Sequence, residues 1–336
     1  MPLRPYLSII YNTSNLDISG FIRSFVLDIS ITQRLTDAAT NVAVKIRDDE
    51  MKFQNDPTFN GIGDTLDVEL FYENATPDKK LDAGVFYLDR VELSAPPDVL
   101  ALRALNYPLN QALRTKKTRT WSSTTLSGIV SAIATEHGLS VSGTREPVNF
   151  TNWEQSDKSD LEFLMDLAQD FDHVFRFDSL GRLYFHSWEL LDNAANSWSF
   201  NKDDLLARPS LRFTSADSGT YRNFTTNYDD GSPGTANLID TFVYSTDSIT
   251  GSTTYESFAQ AQLGVRGLWR RTNSLRRSVE FTIEGDGRVN LGQNFAIAGY
   301  GTFDGNYQIQ ELRNSLSNNG WVTEIKGRKL YEEFPS

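Results

Sequence analysis

The stretch FDGNYQIQELRNSL, residues 303–316, has a near twin in DAGVFYLDRVELS, residues 82–94. With Gly84 set on Gly305, Phe86 falls on Tyr307, Leu88 on Ile309, Val91 on Leu312 and Ser94 on Ser315, an ungapped offset of 221 residues (305 − 84). The neighbouring segments follow in the same order. GDTLDVELFY ahead of the first glycine answers LGQNFAIAGY ahead of the second, and VLALRA behind the first answers WVTEIKG behind the second. Three consecutive matched segments constrain the architecture strongly, because each copy has to build the same supersecondary unit.

That unit reads as antiparallel β structure. SFVLDISITQRL places Phe25, Leu27, Ile29 and Ile31 on one side, and NVAVKIRD does the same with Val42, Val44 and Ile46; a period of two is the mark of a half-buried strand. Toward the other end, RSVEFTIEGDG alternates Val279, Phe281 and Ile283. Five or six strands without an intervening helix before residue 118 suggest a barrel or sandwich.

The texture changes near Thr120. Ser123 or Thr124 can cap a helix that runs to about His137, with Leu126, Ile129, Val130 and Ile133 on one face and Gly138 at its end. In QSDKSDLEFLMDLAQDF, Ser159 and Glu162 have capping-box spacing, and Leu161, Phe163, Leu164, Leu167 and Ala168 supply the buried side. HVFRFDSLGRLYFHSW then reads as a hairpin turning at Asp178–Gly181. A further helix is expected within YESFAQAQLGVRGLWRR, weakened by Gly264 and Gly267. The expected architecture is mainly β: two related antiparallel β-barrel domains, residues 1–118 and 209–336, the second with one helix, flanking an α+β middle domain, 119–208. The repeat residues Gly84, Phe86, Leu88, Val91, Gly305, Tyr307, Ile309 and Leu312 fix the barrel geometry, with Phe86, Leu88, Tyr307 and Ile309 in the strand cores.

Composition narrows the function classes. A chain of 336 residues is long for one core, and 39% hydrophobic with 12% aromatic content supports packed interiors. The net charge of −12 argues against a protein whose task is to hold nucleic acid. The same charge keeps a protein soluble, and it also suits a conduit that must not stick to passing DNA. With no cysteine, thiol chemistry, disulfides and zinc–thiolate sites are excluded. No run of some 18 apolar residues marks a membrane anchor, and no signal-peptide core opens the chain.

Candidate chemistry is sparse. Asp157, Asp160, Glu162, Asp166, Asp170 and Asp172 crowd one helical segment, but carboxylates at a helix start favour the dipole, and the rest read as a solvated face. His137, His173 and His186 fall in no metal-binding pattern, although the last two could fold near each other. The basic runs RTKKTR (114–119) and LWRRTNSLRRS (268–278) read as salt-bridge or partner-docking segments. No catalytic, metal or cofactor-binding residue is expected. The alternatives are a cell-wall hydrolase acting through the helix carboxylates, or a carbohydrate-binding module presenting Trp121, Trp153, Trp188 or Trp198.

The ordered set LSGIVSAIATEHGL, QSDKSDLEFLMDLAQDF and HVFRFDSLGRLYF resembles the central signature of the phage late control protein D and baseplate hub family. The matching positions are Gln155, Ser156, Asp157, Leu161, Phe163, Leu164, Leu167, Ala168, Gly181, Leu183 and Phe185. The segment from WRRTNSLRRSVEF to the end of the repeat fits too, so the similarity runs from about residue 100 to 330. It is shared by the hub part of type VI secretion spike proteins. The resemblance implies a non-enzymatic homotrimer, located in the tail baseplate of a virion or equivalent contractile particle and synthesised in the host bacterial cytoplasm. Two similar barrels per chain would let three chains meet a sixfold tail tube above and a threefold spike below. Its implied partners are a separate central spike protein, tube or tube-initiator proteins, the end of the tape-measure protein and baseplate wedge components, with DNA or an effector only as passing cargo. Because the chain stops at Ser336, no fused spike is expected.

Overall fold

The computed structural model describes residues 5–11, 16–17, 25–48, 51, 55, 62–74, 78–106, 111–203 and 211–330. It is mainly β, with 52% strand and 18% helix. The leading strands are β1 (Pro5–Tyr11), β2 (Leu16–Asp17), β3 (Val26–Arg34), β4 (Asn41–Arg47), β5 (Thr65–Tyr72), β6 (Leu81–Ser94) and β7 (Val99–Leu105). The middle of the chain holds β8 (Lys116–Thr125), α1 (Leu126–Glu136), β9 (Val141–Ser142), β10 (Asn149–Ser159), α2 (Asp160–Asp170), β11 (His173–Phe177) and β12 (Leu183–Ser187). There follow β13 (Asn196–Asn201), β14 (Arg212–Ser215), β15 (Asn223–Tyr228), β16 (Gly234–Ile239), β17 (Ser248–Tyr255) and α3 (Phe258–Asn273). The last strands are β18 (Arg277–Glu284), β19 (Asn294–Ala298), β20 (Gly305–Ser317) and β21 (Gly320–Lys329).

Two runs of strands share one pattern of connection. The first lies in the order β3-β4-β7-β6-β5-β1 and the second in the order β14-β18-β21-β20-β19-β13. Ranked by position in the chain, both read second, third, sixth, fifth, fourth, first. They differ at the outermost pair, since β1 runs antiparallel to β5 whereas β13 runs parallel to β19. Strand β13 falls in the span expected for the middle domain, and β15–β17 with α3 sit between the second and third strands of the second run.

The register repeats as well. Phe86 lies opposite Leu66 and Tyr307 opposite Phe295, and each copy has a β-bulge at the same aligned place. The pairing slips between Leu88 and Arg90 in one and between Ile309 and Glu311 in the other, both 221 apart (309 − 88 and 311 − 90). A bulge changes strand twist locally, so its recurrence is a fine-grained likeness. The two interiors are separate: Val42, Val44, Ile46, Phe86 and Leu88 belong to one cluster, and Val279, Phe281, Ile283, Tyr307 and Ile309 to another.

Neither run closes into a barrel, contrary to the expectation from sequence. Closure would need β3 to bond across to the β1 end of its own run. Instead β3 gives its outer edge to β20, Arg34 opposite Glu311 through Asp28 opposite Ser317, and the two runs merge into one sheet of 13 strands. Period-two alternation is the same in an open sheet and a barrel, so it did not discriminate between them. Trp321 of β21 crosses this seam and is buried among the side chains of the first interior.

Helices α1, α2 and α3 converge on a third interior. Leu126, Ile129, Val130 and Ile133 of α1 are buried with Phe163, Leu164, Leu167 and Ala168 of α2 and Ala261 of α3. Thr125 caps α1, one residue beyond the expected caps, because β8 stays extended up to it. The capping box of Ser159 and Glu162 opens α2 as expected. Gly267 of α3 is a contact residue rather than a helix breaker: a Cβ there would lie 2.2 Å from the Gln169 carbonyl oxygen, so only glycine lets α3 approach the end of α2.

Candidate assembly site

Of the repeat residues, Phe86, Leu88, Tyr307, Ile309 and Leu312 are buried to 1% exposure or less. Gly84 has φ +81°, and a Cβ would come within 1.9 Å of the Ser179 carbonyl oxygen, which explains the glycine; Gly305 also has positive φ. Val91 departs from its counterpart, being 38% exposed where Leu312 is sealed. The edge beside Leu312 is covered by β3, whereas beyond the bulge no described strand lies beside β6 except β7. On α2, Phe163, Leu164, Leu167 and Ala168 are buried and Leu161 is half-buried.

The carboxylates of α2 are not all on a solvated face. Asp160 is fully buried and accepts from Lys117 Nζ and Arg119 Nη2, each at 2.6 Å, and from Gln155 Nε2 at 2.9 Å. Its Oδ2 also lies 2.7 Å from His137 Nε2. Burial alone would raise its pKa, but the hydrogen bonds from Lys117, Gln155 and His137 and the Arg119 charge hold it below the usual range. Glu136, His137 and Asp160 lie close enough together to hold a metal ion. The Lys117 ammonium and Arg119 guanidinium nevertheless contact the same two carboxylates, so the cluster is already charge-compensated by side chains. The basic run 114–119 is thus used inside the chain.

The second basic run is used internally at Arg270. Its guanidinium reaches both carboxylate oxygens of Asp172, at 2.6 and 3.0 Å, and Asp192 at 2.9 Å, and lies 4.8 Å from the Trp188 ring. Buried Arg328 of β21 bonds Asp192 and Gln308 and lies over the same ring. Burial pushes the Asp192 carboxyl up, and the two arginines more than reverse this. The network ties α3, the short helix Trp188–Asp192 and β21 together. No sequence signal pairs these residues, whose hydrogen-bonded partners lie up to 136 positions apart.

Asp170 behaves differently. Burial raises its pKa to about 6, against the opposing charge of Arg271. The folded chain binds this proton more tightly than the unfolded one. The contribution to stability is therefore full below the ordinary value of 3.8 and is lost as pH rises through about 6. Asp170→Asn is expected to stabilise the chain by about 1–3 kcal/mol at about pH 8 and by little at about pH 4, as read by urea unfolding.

The other two histidines are occupied by the backbone. His173 Nε2 accepts from the Glu146 amide at 3.0 Å and His186 Nδ1 from the Thr144 amide at 2.7 Å. Burial lowers His173 to about 4, which keeps it neutral. A cavity of about 300 Å³ is lined by Leu35, Met165, Phe175 and Trp188 together with Asp172 and Arg270, and those two charges face each other. None of the six tryptophans is exposed. No helix of the described residues is long and apolar enough to cross a membrane.

The chain combines a repeated β unit with a helical insert fastened by buried charge. Its fold is that of phage tail proteins. It superposes on the prophage MuSo2 43 kDa tail protein from Shewanella oneidensis with a TM-score of 0.73 at 13% identity, covering 97% of this chain and 98% of that one. It also superposes on the E. coli c3393 protein, a type VI secretion component, with a TM-score of 0.58 at 11% identity, covering 93% and 75%. In sequence the chain is 36% identical over 88 residues to the probable baseplate hub protein of Escherichia phage P2, which is 26% of this chain and 23% of that protein. These likenesses bear out the resemblance to the baseplate hub family. No protein-family profile matches the chain.

Proposed function

We propose that this chain is the hub of a contractile-tail baseplate, a structural ring component in which three chains present six similar β units. The observation that carries this reading is the doubled strand order with its matched bulges. Tandem duplication of one ancestral unit accounts for it, and a threefold ring of doubled units can meet a sixfold tube on one face and a threefold spike on the other. The tape-measure end and wedge components belong to its surroundings, and DNA or an effector passes through as cargo. The buried, cation-paired state of Asp160 and Asp172 speaks against a hydrolase, and the tryptophans, buried or half-buried rather than exposed, speak against a glycan platform. Light scattering on the purified chain is expected to give three times the chain mass. A monomer that stays monomeric with its spike protein would overturn the reading.

A further inference from the structure

The small sheet ordered β16-β15-β17 has two unlike faces. On one, Phe224 and Leu238 pack with Val265, Leu268 and Trp269 of α3, and Thr226 Oγ1 donates to the Ala261 carbonyl at 2.8 Å. Alternation turns Asn223, Thr225 and Asn227 to the other face. Asn237 and Thr250 flank Thr225 there, and Thr235 and Thr254 flank Asn227. Ile239 and Ser248 flank Asn223. The six flanking residues are exposed and the central three half-buried. None of the nine is charged, in a chain that is 23% charged, and only Ile239 is apolar.

These side chains are held in place by one another. Thr225 Oγ1 donates to Asn237 Oδ1 at 2.9 Å, Asn237 Nδ2 to Thr235 Oγ1 at 3.4 Å, and Asn223 Nδ2 to Ser248 Oγ at 3.2 Å. An amide has two donor and two acceptor positions and a hydroxyl one donor and two acceptor positions, so every bonded group keeps capacity for a ligand. Beyond the Ile239–Asn223–Ser248 row, the connecting loop holds Tyr244, 95% exposed, and Phe242, 47% exposed. The loop is anchored: an Asp217 oxygen accepts from the Tyr244 and Ser245 amides at 2.9 and 3.2 Å, and Asp240 accepts from the Phe242 amide at 3.0 Å. An aromatic ring left in water on a fastened backbone marks a binding surface.

We propose that this open face, with Tyr244 beyond its end, binds a neutral oligosaccharide of two or three rings. The inference stands apart from the hub reading and adds an activity to it. Two strand spacings of about 4.8 Å and four residue steps of about 3.3 Å make a strip of roughly 130 Å². That is far below the ~800 Å² per partner of a stable protein interface, and it matches a short sugar chain. Nucleic acid and anionic headgroups need cations that the strip lacks. A hard metal ion needs carboxylates, which it also lacks. Sugar hydroxyls both donate and accept, as these amides and hydroxyls do, and the C–H face of a pyranose packs on a tyrosine ring. No tryptophan lies on this face.

The test uses the full-length chain on an array of neutral gluco-, galacto-, manno- and N-acetylglucosamine oligosaccharides of two to four rings, printed beside sulfated and sialylated counterparts. Binding to neutral spots is expected. Thr225→Val with Asn237→Leu keeps size while removing the hydroxyl and the amide, and Tyr244→Ala removes the ring. Each should weaken binding to the best neutral spot at least tenfold, with an unchanged melting temperature and an unchanged mass by light scattering. Binding to no spot, to charged spots only, or equally by wild type and both variants overturns the proposal. A variant that changes the mass shows that the strip meets a second copy, and overturns it too.

Discussion

Trp321→Ala is expected to lower unfolding free energy by about 3–5 kcal/mol, the range for removing a large buried aromatic. The indole is 2% exposed and stacks on Tyr72 with ring centres 5.1 Å apart. Its Nε1 donates to Asn314 Oδ1 at 3.1 Å, and its carbonyl accepts from the Tyr72 hydroxyl at 3.3 Å. Gly285 is shaped to it, since a Cβ there would come within 2.2 Å of the ring. Tyr72 belongs to the first strand run and Trp321 to the second, so the cavity would open at the seam. Urea unfolding followed by fluorescence and by circular dichroism should lose coincidence in the variant, because the two runs then melt apart. Trp321→Phe should cost less, keeping the stacking while losing the indole donor. Unchanged stability on Trp321→Ala would show that the seam carries no load.

The second large effect concerns Arg270. Removing one partner from a buried, hydrogen-bonded ion cluster leaves charge without compensation, at about 3–5 kcal/mol. Arg270→Met is expected to cost that much near neutral pH, because Asp172, 3% exposed, loses the guanidinium that bonds both of its carboxylate oxygens. Asp192 retains Arg328. Adding Asp172→Asn should recover part of the deficit at neutral pH. Denaturant unfolding of the single and double variants separates this from a loss of packing, which Asp172→Asn would not recover.

The features legible in the sequence were those set by short-range physics. The strand alternation of Val42, Val44 and Ile46, the capping box at Ser159 and the stripe of α1 each depend on residues within a turn or two of one another. The glycines of α3 misled in sign: they weaken a helix in isolation, yet Gly264 and Gly267 let it pack against Tyr255 and the Gln169 carbonyl. The acidic helix and the basic runs were visible as compositions, but which carboxylate met which cation was not. Asp160 finds Lys117 and Arg119, and Asp172 finds Arg270, through space alone.

The sequence by itself determined that one β unit occurs twice, since alternation, turn glycines and spacing are written locally in both copies. The tertiary structure decided how the copies join: an open sheet stitched through β3 and β20, with β6 and β14 left as edges. The reason is physical. Alternation records which side chains face inward, but an edge is made of backbone amides and carbonyls, which every residue but proline presents alike, so only the assembled sheet reveals whose edge is taken.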